Sequence, residues 1–407
     1  MRGKLSRIGV ATLVGLAIGT QGVLAIALPG CAEGFLGAGG FLNTVGDGLN
    51  SVGSCLSPLE PIDLNLVFEK TSVIEWENGS AVIDDAAQPD VLAYLEEQLG
   101  QDVMPVYYLP LRFHRIGPLT RGEVIQIEAL SDVVDRVALY DAEYTRVPAG
   151  GVHDLDGRRR TLQIPITRDT QAGYIRIDLQ YPSTTNEPMV RLARLGFAAP
   201  PAPRGQTVVL HFGGAELVTF RSGYLIPAQV GAIDDDAART AATEAFRTVY
   251  APYSMTIVTD VDPPPTAPFS VIHIGPTDLD AYSLGQAETI DTRNAYPDDI
   301  AVVDANQIAL EIARLFGPET YGRAIGMIAA HEMGHLLGLE HVADADALMT
   351  GAQCQGSGVD IERLLRRQLK RAPLIAFSSE LKRWVIGYQD ARAELLETLG
   401  PAGIPAP

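Results

Sequence analysis

The sequence predicts an α+β domain, a mixed sheet with a helix that carries the candidate site, preceded by an all-β sandwich-like domain. Three observations carry that expectation. Period-two alternation dominates from about Pro61 to Phe197, a proline-rich break follows at 198–205, and strands then alternate with helical stretches up to a helix dense in histidine.

Size and charge set the frame. The chain has 407 residues, 46% hydrophobic and 20% charged, the composition of a folded protein with two or three domains. Its 50 acidic and 31 basic side chains leave a formal charge of -19, which repels a polyanion at long range, so nucleic acid is excluded as the expected partner.

At the N-terminus Arg2, Lys4 and Arg7 precede an apolar run from Ile8 to Leu28, the pattern of a secretory signal over residues 1–30. Ala25-Ile26-Ala27 fits a small-x-small cleavage site, while Leu28-Pro29-Gly30-Cys31 resembles a bacterial lipobox with lipidation at Cys31. The expectation is export to the extracellular space or cell envelope, with membrane attachment only through such a lipid or an uncleaved anchor. Three cysteines are too few for a disulfide scaffold, but export permits one bridge. If Cys31 is lipidated, Cys55 and Cys354 are left to pair; otherwise Cys31 to Cys55 is the local option, and three free thiols are the remaining alternative. Residues 31–60 are rich in glycine and read as a tether.

Within 61–197 the clearest strand is Tyr174 to Tyr181, where Ile175, Ile177 and Leu179 alternate with Arg176, Asp178 and Gln180, predicting one buried and one wet face. Similar runs at Val124–Leu130, Arg136–Tyr140 and Thr161–Ile166 complete the sandwich pattern, with one helix near Pro89–Leu99. His114 and His153 stand alone and read as packing or surface residues.

The prolines at 200, 201 and 203 mark the linker. After it, the domain 206–373 is expected to run through a strand at Thr207–Phe212, a helix capped by Asp234-Asp235-Asp236 and reaching Tyr250, and strands at Met255–Thr259, Ser270–Ile274 and Ile300–Val303. A polar loop, Gly285 to Asp299, precedes the last strand. Two helical stretches follow, separated at Gly317-Pro318.

The second of these helices holds His331-Glu332-Met333-Gly334-His335-Leu336-Leu337-Gly338-Leu339-Glu340-His341. Histidines four apart on a helix share one face, close enough for two imidazoles to hold one ion. Glu332 projects beside the first of them, where it can act as general base on a metal-activated water. Gly338 can take the left-handed conformation that ends the helix and let the chain return His341 as third ligand. Three protein ligands with one open position are the mark of a catalytic rather than a structural zinc site.

These residues resemble the metzincin zinc endopeptidases, whose signature is H-E-x-x-H-x-x-G-x-x-H followed by a Met-turn. Ala347-Leu348-Met349 matches that turn, and the resemblance implies that Met349 lies beneath the metal as a hydrophobic base. The short step from His341 to Met349 is most similar to matrixins, although Val342 stands where they commonly have a small hydroxyl residue and no cysteine-switch segment is present. The resemblance implies one catalytic Zn2+, peptide or protein substrates, and hydrolysis with Glu332 as base. It also makes Ser270–Ile274 a candidate sheet edge for an extended peptide, and the loop 285–299 a candidate cleft wall.

Other groups have weaker chemistry. His211 and His273 read as packing residues before a second zinc site; Asp291, Asp298 and Asp299 could bind Ca2+ but read first as a solvated loop; Glu340 reads as an exposed helix-end carboxylate before a support for His341. After the Met-turn, Asp360 is expected to cap one helix, and a second is expected over Ser378–Leu399 within a C-terminal helix and tail, 374–407. The rival reading is a surface binding or adhesion protein whose metallopeptidase-like domain is inactive, against which an intact Glu332 counts.

Overall fold

Two four-stranded antiparallel sheets occupy the first part of the computed structural model, which describes residues 62–84, 111–148, 161–179, 188–199, 202–220, 228–279, 284–351, 361–379 and 382–403, apart from positions 64, 72, 267 and 292. The signal segment, the tether with Cys31 and Cys55, Cys354, the helix at 89–99, His153 and Asp360 lie outside the described residues. One sheet runs β2 (Ser80–Asp84), β9 (Pro188–Phe197), β4 (Glu123–Ala129), β7 (Thr161–Pro165). The other runs β3 (Leu111–Leu119), β8 (Thr170–Leu179), β5 (Val134–Tyr140), β6 (Arg146–Val147). Ile125 and Ile127 of the first sheet and Ile175 and Ile177 of the second belong to one buried cluster, because alternation sends every second side chain inward.

The second sheet is covered on its other face too. Phe113, Tyr140 and Tyr174 join the core that contains the histidine helix, with Phe68 of a 3-10 helix (Asn65–Lys70) packed 5.8 Å from Phe113 and 5.0 Å from Tyr174, ring centre to ring centre. The wet face expected for β8 is therefore corrected: Arg176 is buried, because the rest of the chain lies on top of it.

The second sheet system has the order β13 (Met255–Thr259), β10 (Gln206–His211), β14 (Ser270–Gly275), β16 (Ile300–Asp304), β15 (Gly285–Ala287), parallel except for β15. A small hairpin, β11 (Ala215–Val218) with β12 (Ala228–Val230), adjoins it. β14 pairs on both sides, so Ser270–Ile274 is interior and the expectation of a sheet edge there is corrected. The antiparallel edge is β15, inside the loop the sequence marked as a cleft wall.

Helix α1 (Asp236–Tyr250) starts at Asp235, whose carboxylate accepts from Ala238 N at 3.0 Å. Helix α2 (Ala305–Leu336) is interrupted at Gly317, where φ is 80° and Pro318 restarts the helix. Tyr250 Oη donates to Ala330 O at 2.8 Å, fixing α1 against the turn of α2 that carries His331.

The C-terminal region departs from the sequence expectation. Instead of a helix from Ser378, β17 (Arg371–Ser379) and β18 (Lys382–Asp390) form an antiparallel hairpin, to which β1 (Ile62–Asp63) adds in parallel. Helix is confined to α3 (Ile361–Leu364) and α4 (Ala391–Leu399). The run Trp384-Val385-Ile386 is β-branched and aromatic, and Gly387 sits at φ 74°, which a helix interior does not accept. Among the described residues no helix is long and apolar enough to cross a membrane.

Candidate metal centre

The last turn of α2 places His331, Glu332 and His335 in the core, 3%, 5% and 7% exposed. Gly338, at φ 91°, ends the helix and turns the chain so that His341 comes back over it. The three Nε2 atoms then converge, 3.2 Å from His331 to His335, 3.2 Å from His331 to His341 and 3.1 Å from His335 to His341. Tetrahedral zinc with bonds of about 2.0–2.1 Å needs nitrogens about 3.3 Å apart, so this donor set fits the ion.

The second nitrogen of two rings fixes the tautomer. His331 Nδ1 lies 2.7 Å from Leu348 O and His335 Nδ1 2.7 Å from Leu339 O. A carbonyl only accepts, so each Nδ1 carries the proton and each Nε2 presents its lone pair to the centre. Burial, then the neighbouring imidazoles, holds His331 well below the usual histidine range; burial pushes His341 down to about 4, with Arg136 adding to the effect and Glu340 opposing it. Neutral imidazole is the form that ligates.

Met349 is buried beneath the helix, its carbonyl accepting from Val342 N at 2.8 Å, while Leu348 supplies the carbonyl that orients His331. Edge strand β15 passes beside Glu332: a Cβ on Gly285 would lie 2.5 Å from Glu332 Oε1 and 2.8 Å from its Cδ. The loop after β15 is tied to the same helix, Asp291 N donating to His335 O at 3.0 Å.

Residues 197–360 match the family model described as Matrixin. The site is metzincin-like. That match, with the three-histidine cluster inside it, supports a zinc metallopeptidase-like function. No curated protein matches the chain. Among solved structures, archaemetzincin from Methanopyrus kandleri is 14% identical, with 40% of this chain and 87% of that one covered at a TM-score of 0.25. A family two carbohydrate esterase from Cellvibrio japonicus is 10% identical, with 37% and 43% covered at 0.14. At those scores neither likeness bears on fold or chemistry.

The other sequence candidates do not join the metzincin-like site. His211 Nδ1 pairs with Asp260 Oδ1 at 2.5 Å and Nε2 contacts Gly214 O at 3.0 Å, with the His273 ring edge-on at 5.2 Å. Burial, then His211, pushes His273 down to about 4, and burial does the same to His114 on β3. Among the described residues the three histidines are the one group of three or more His, Cys, Asp or Glu that could share an ion, so Asp291, Asp298 and Asp299 do not converge as a cation site.

Sequence reasoning misplaced Glu340. It is 7% exposed, not a free helix-end carboxylate: Arg146 Nη1 donates to its Oε1 at 2.5 Å, and Arg176 Nη2 lies 3.9 Å from its Oε2. Both arginines come from the β sheets, Arg146 from β6 and Arg176 from β8.

Proposed function

We propose that the chain is an exported zinc endopeptidase of matrixin-like type, acting on protein or peptide substrates in the extracellular space or at the cell envelope, with Cys31 a candidate lipid anchor. The observation that supports this best is the convergence of three histidine Nε2 atoms beside a buried glutamate at the foot of an antiparallel edge strand.

His331, His335 and His341 would hold the ion. Zinc, when bound there, lowers the pKa of water and polarises a carbonyl. The rest is done by the protein's own groups. Glu332 accepts the proton of the attacking water on a carboxylate oxygen and returns it to the amine nitrogen of the leaving peptide. Among the described residues β15 is the terminal, antiparallel strand of its sheet, and a substrate strand laid along it would gain main-chain hydrogen bonds while its scissile bond faces Glu332. The segment 61–197 is read as a β-sandwich-like domain, 198–205 as the link to the catalytic domain, 206–373.

Cleavage of a diverse peptide mixture, read by mass spectrometry, tests the reading. The purified chain is expected to cut internally, to stop with a zinc chelator, and to stop in Glu332→Gln, which keeps the shape but takes no proton. A Glu332→Gln protein that binds zinc and cuts as fast as wild type would sink the assignment of the base.

A further inference from the structure

The four residues that leave α2 and return with the third histidine are held at almost every polar atom. His335 Nδ1 donates to Leu339 O at 2.7 Å, Gln389 accepts from Glu340 N at 2.8 Å and donates to Glu340 O at 3.1 Å, and Ile375 N donates to His341 O at 3.2 Å. Two handles remain, the carbonyl of Gly338 and the carboxylate of Glu340. Both go to one residue of the β sheets. Arg146, 1% exposed on β6, donates from Nη2 to Gly338 O at 2.7 Å and from Nη1 to Glu340 Oε1 at 2.5 Å.

The same guanidinium reaches Glu394 of α4 through Nε, at 3.3 Å, and Nη2. Its planar fork thus ties the turn at Gly338, the side chain next to His341 and a third element into one rigid group, which a lysine's single point charge cannot do. Arg176 backs Glu340 from β8, on the far side of β5 in the same sheet, and is itself clamped by Asp178 at 2.7 and 3.0 Å. A clamp serving only to hold the β sheets down would have sufficient partners in Glu394 and Glu340; contact with the carbonyl that ends the metal-binding helix goes further.

We propose that Arg146 is a positioning residue for His341, so that the β unit supplies part of the support of the zinc site. This rests on the zinc-site reading above. Groups that orient metal ligands through one intervening contact change metal affinity about 10–100-fold when removed.

The test uses the full chain as wild type, Arg146→Lys, the charge-balanced double variant Arg146→Met with Glu394→Met, and Glu397→Gln. Glu397 receives Thr167 and Arg293, so its variant loosens other long-range ties without reaching the histidine turn. Zinc affinity by chelator competition and the visible spectrum of the Co2+-loaded protein are read. The two Arg146 variants are expected to bind zinc about 10–100-fold more weakly, with shifted cobalt bands, and Glu397→Gln to match wild type in both. A folded Arg146→Lys with wild-type affinity and spectrum overturns the proposal. So does failure of both Arg146 variants to fold, which makes the residue a structural clamp. If wild type itself binds no zinc, the zinc-site reading falls and this inference with it, a result distinct from the other two.

Discussion

Gly334, in the middle of the histidine motif, lies against Met349: a Cβ added there would stand 3.0 Å from Met349 Cε and closer still to its sulfur. Glycine in a helix interior ordinarily costs about 1 kcal/mol against alanine, so helix propensity alone favours the substitution. Packing opposes it. The thioether seated under the helix leaves no room for a methyl group, and overfilling a dense core costs about 1–3 kcal/mol. Gly334→Ala is therefore expected to lower stability by about that amount, measured by urea unfolding of the zinc-loaded protein, and to weaken zinc retention, because Leu348 orients His331 from the same turn. A more stable Gly334→Ala protein would mean that Met349 moves aside freely.

The edge strand β15 and Glu332 meet in the same way. Gly285 leaves space that the Glu332 carboxylate uses, and a methyl group there would force the carboxylate or β15 to shift. Displacing a reacting group by about 1 Å can cost about 100-fold in rate. Gly285→Ala is expected to lose about 10–100-fold in kcat/KM while its zinc content matches wild type. Unchanged peptide cleavage would show that Glu332 relaxes without penalty and that β15 does not confine it.

How much of this was readable beforehand depends on how local the information is. His331, Glu332, His335, Gly338 and His341 lie within eleven residues, and helix geometry plus one glycine turn brings them together, so spacing alone was enough. Arg146 lies 192 residues from Gly338, and nothing in its strand reports that the outer face of its sheet is covered. For the same reason Arg176 read as a wet residue: alternation says which side chains share a face, not what lies on that face. At 378–399 the apolar spacing Leu381, Trp384, Val385, Tyr388 fits a helical stripe, while Trp384, Ile386 and Tyr388 fit alternation equally well. Pairing with β17 next to it, and with β1 from the other end of the chain, decided it for the hairpin.

The acidic loop after β15 supplies a pH dependence. Asp299 is 3% exposed and is pushed up to about 8, first by burial and then by the negative charges of Asp291 and Glu288, both buried beside it. Its folded-state pKa lies above the unfolded value of 3.8, so the native state keeps the proton while the unfolded chain gives it up. The stabilising contribution is thus fully present below the unfolded value and is lost as pH rises through the folded one, with a slope of up to about 1.4 kcal/mol per pH unit between them. Asp299→Asn keeps a neutral side chain that can still accept from Thr289 Oγ1, which lies 3.3 Å from Oδ2, and it has no proton to lose. Urea midpoints of wild type and variant, measured from pH 4 to 8.5, are expected to diverge steadily with rising pH, the variant becoming the more stable. Parallel curves would mean that Asp299 ionises in the native state at an ordinary pH, with the three carboxylates accommodating its charge.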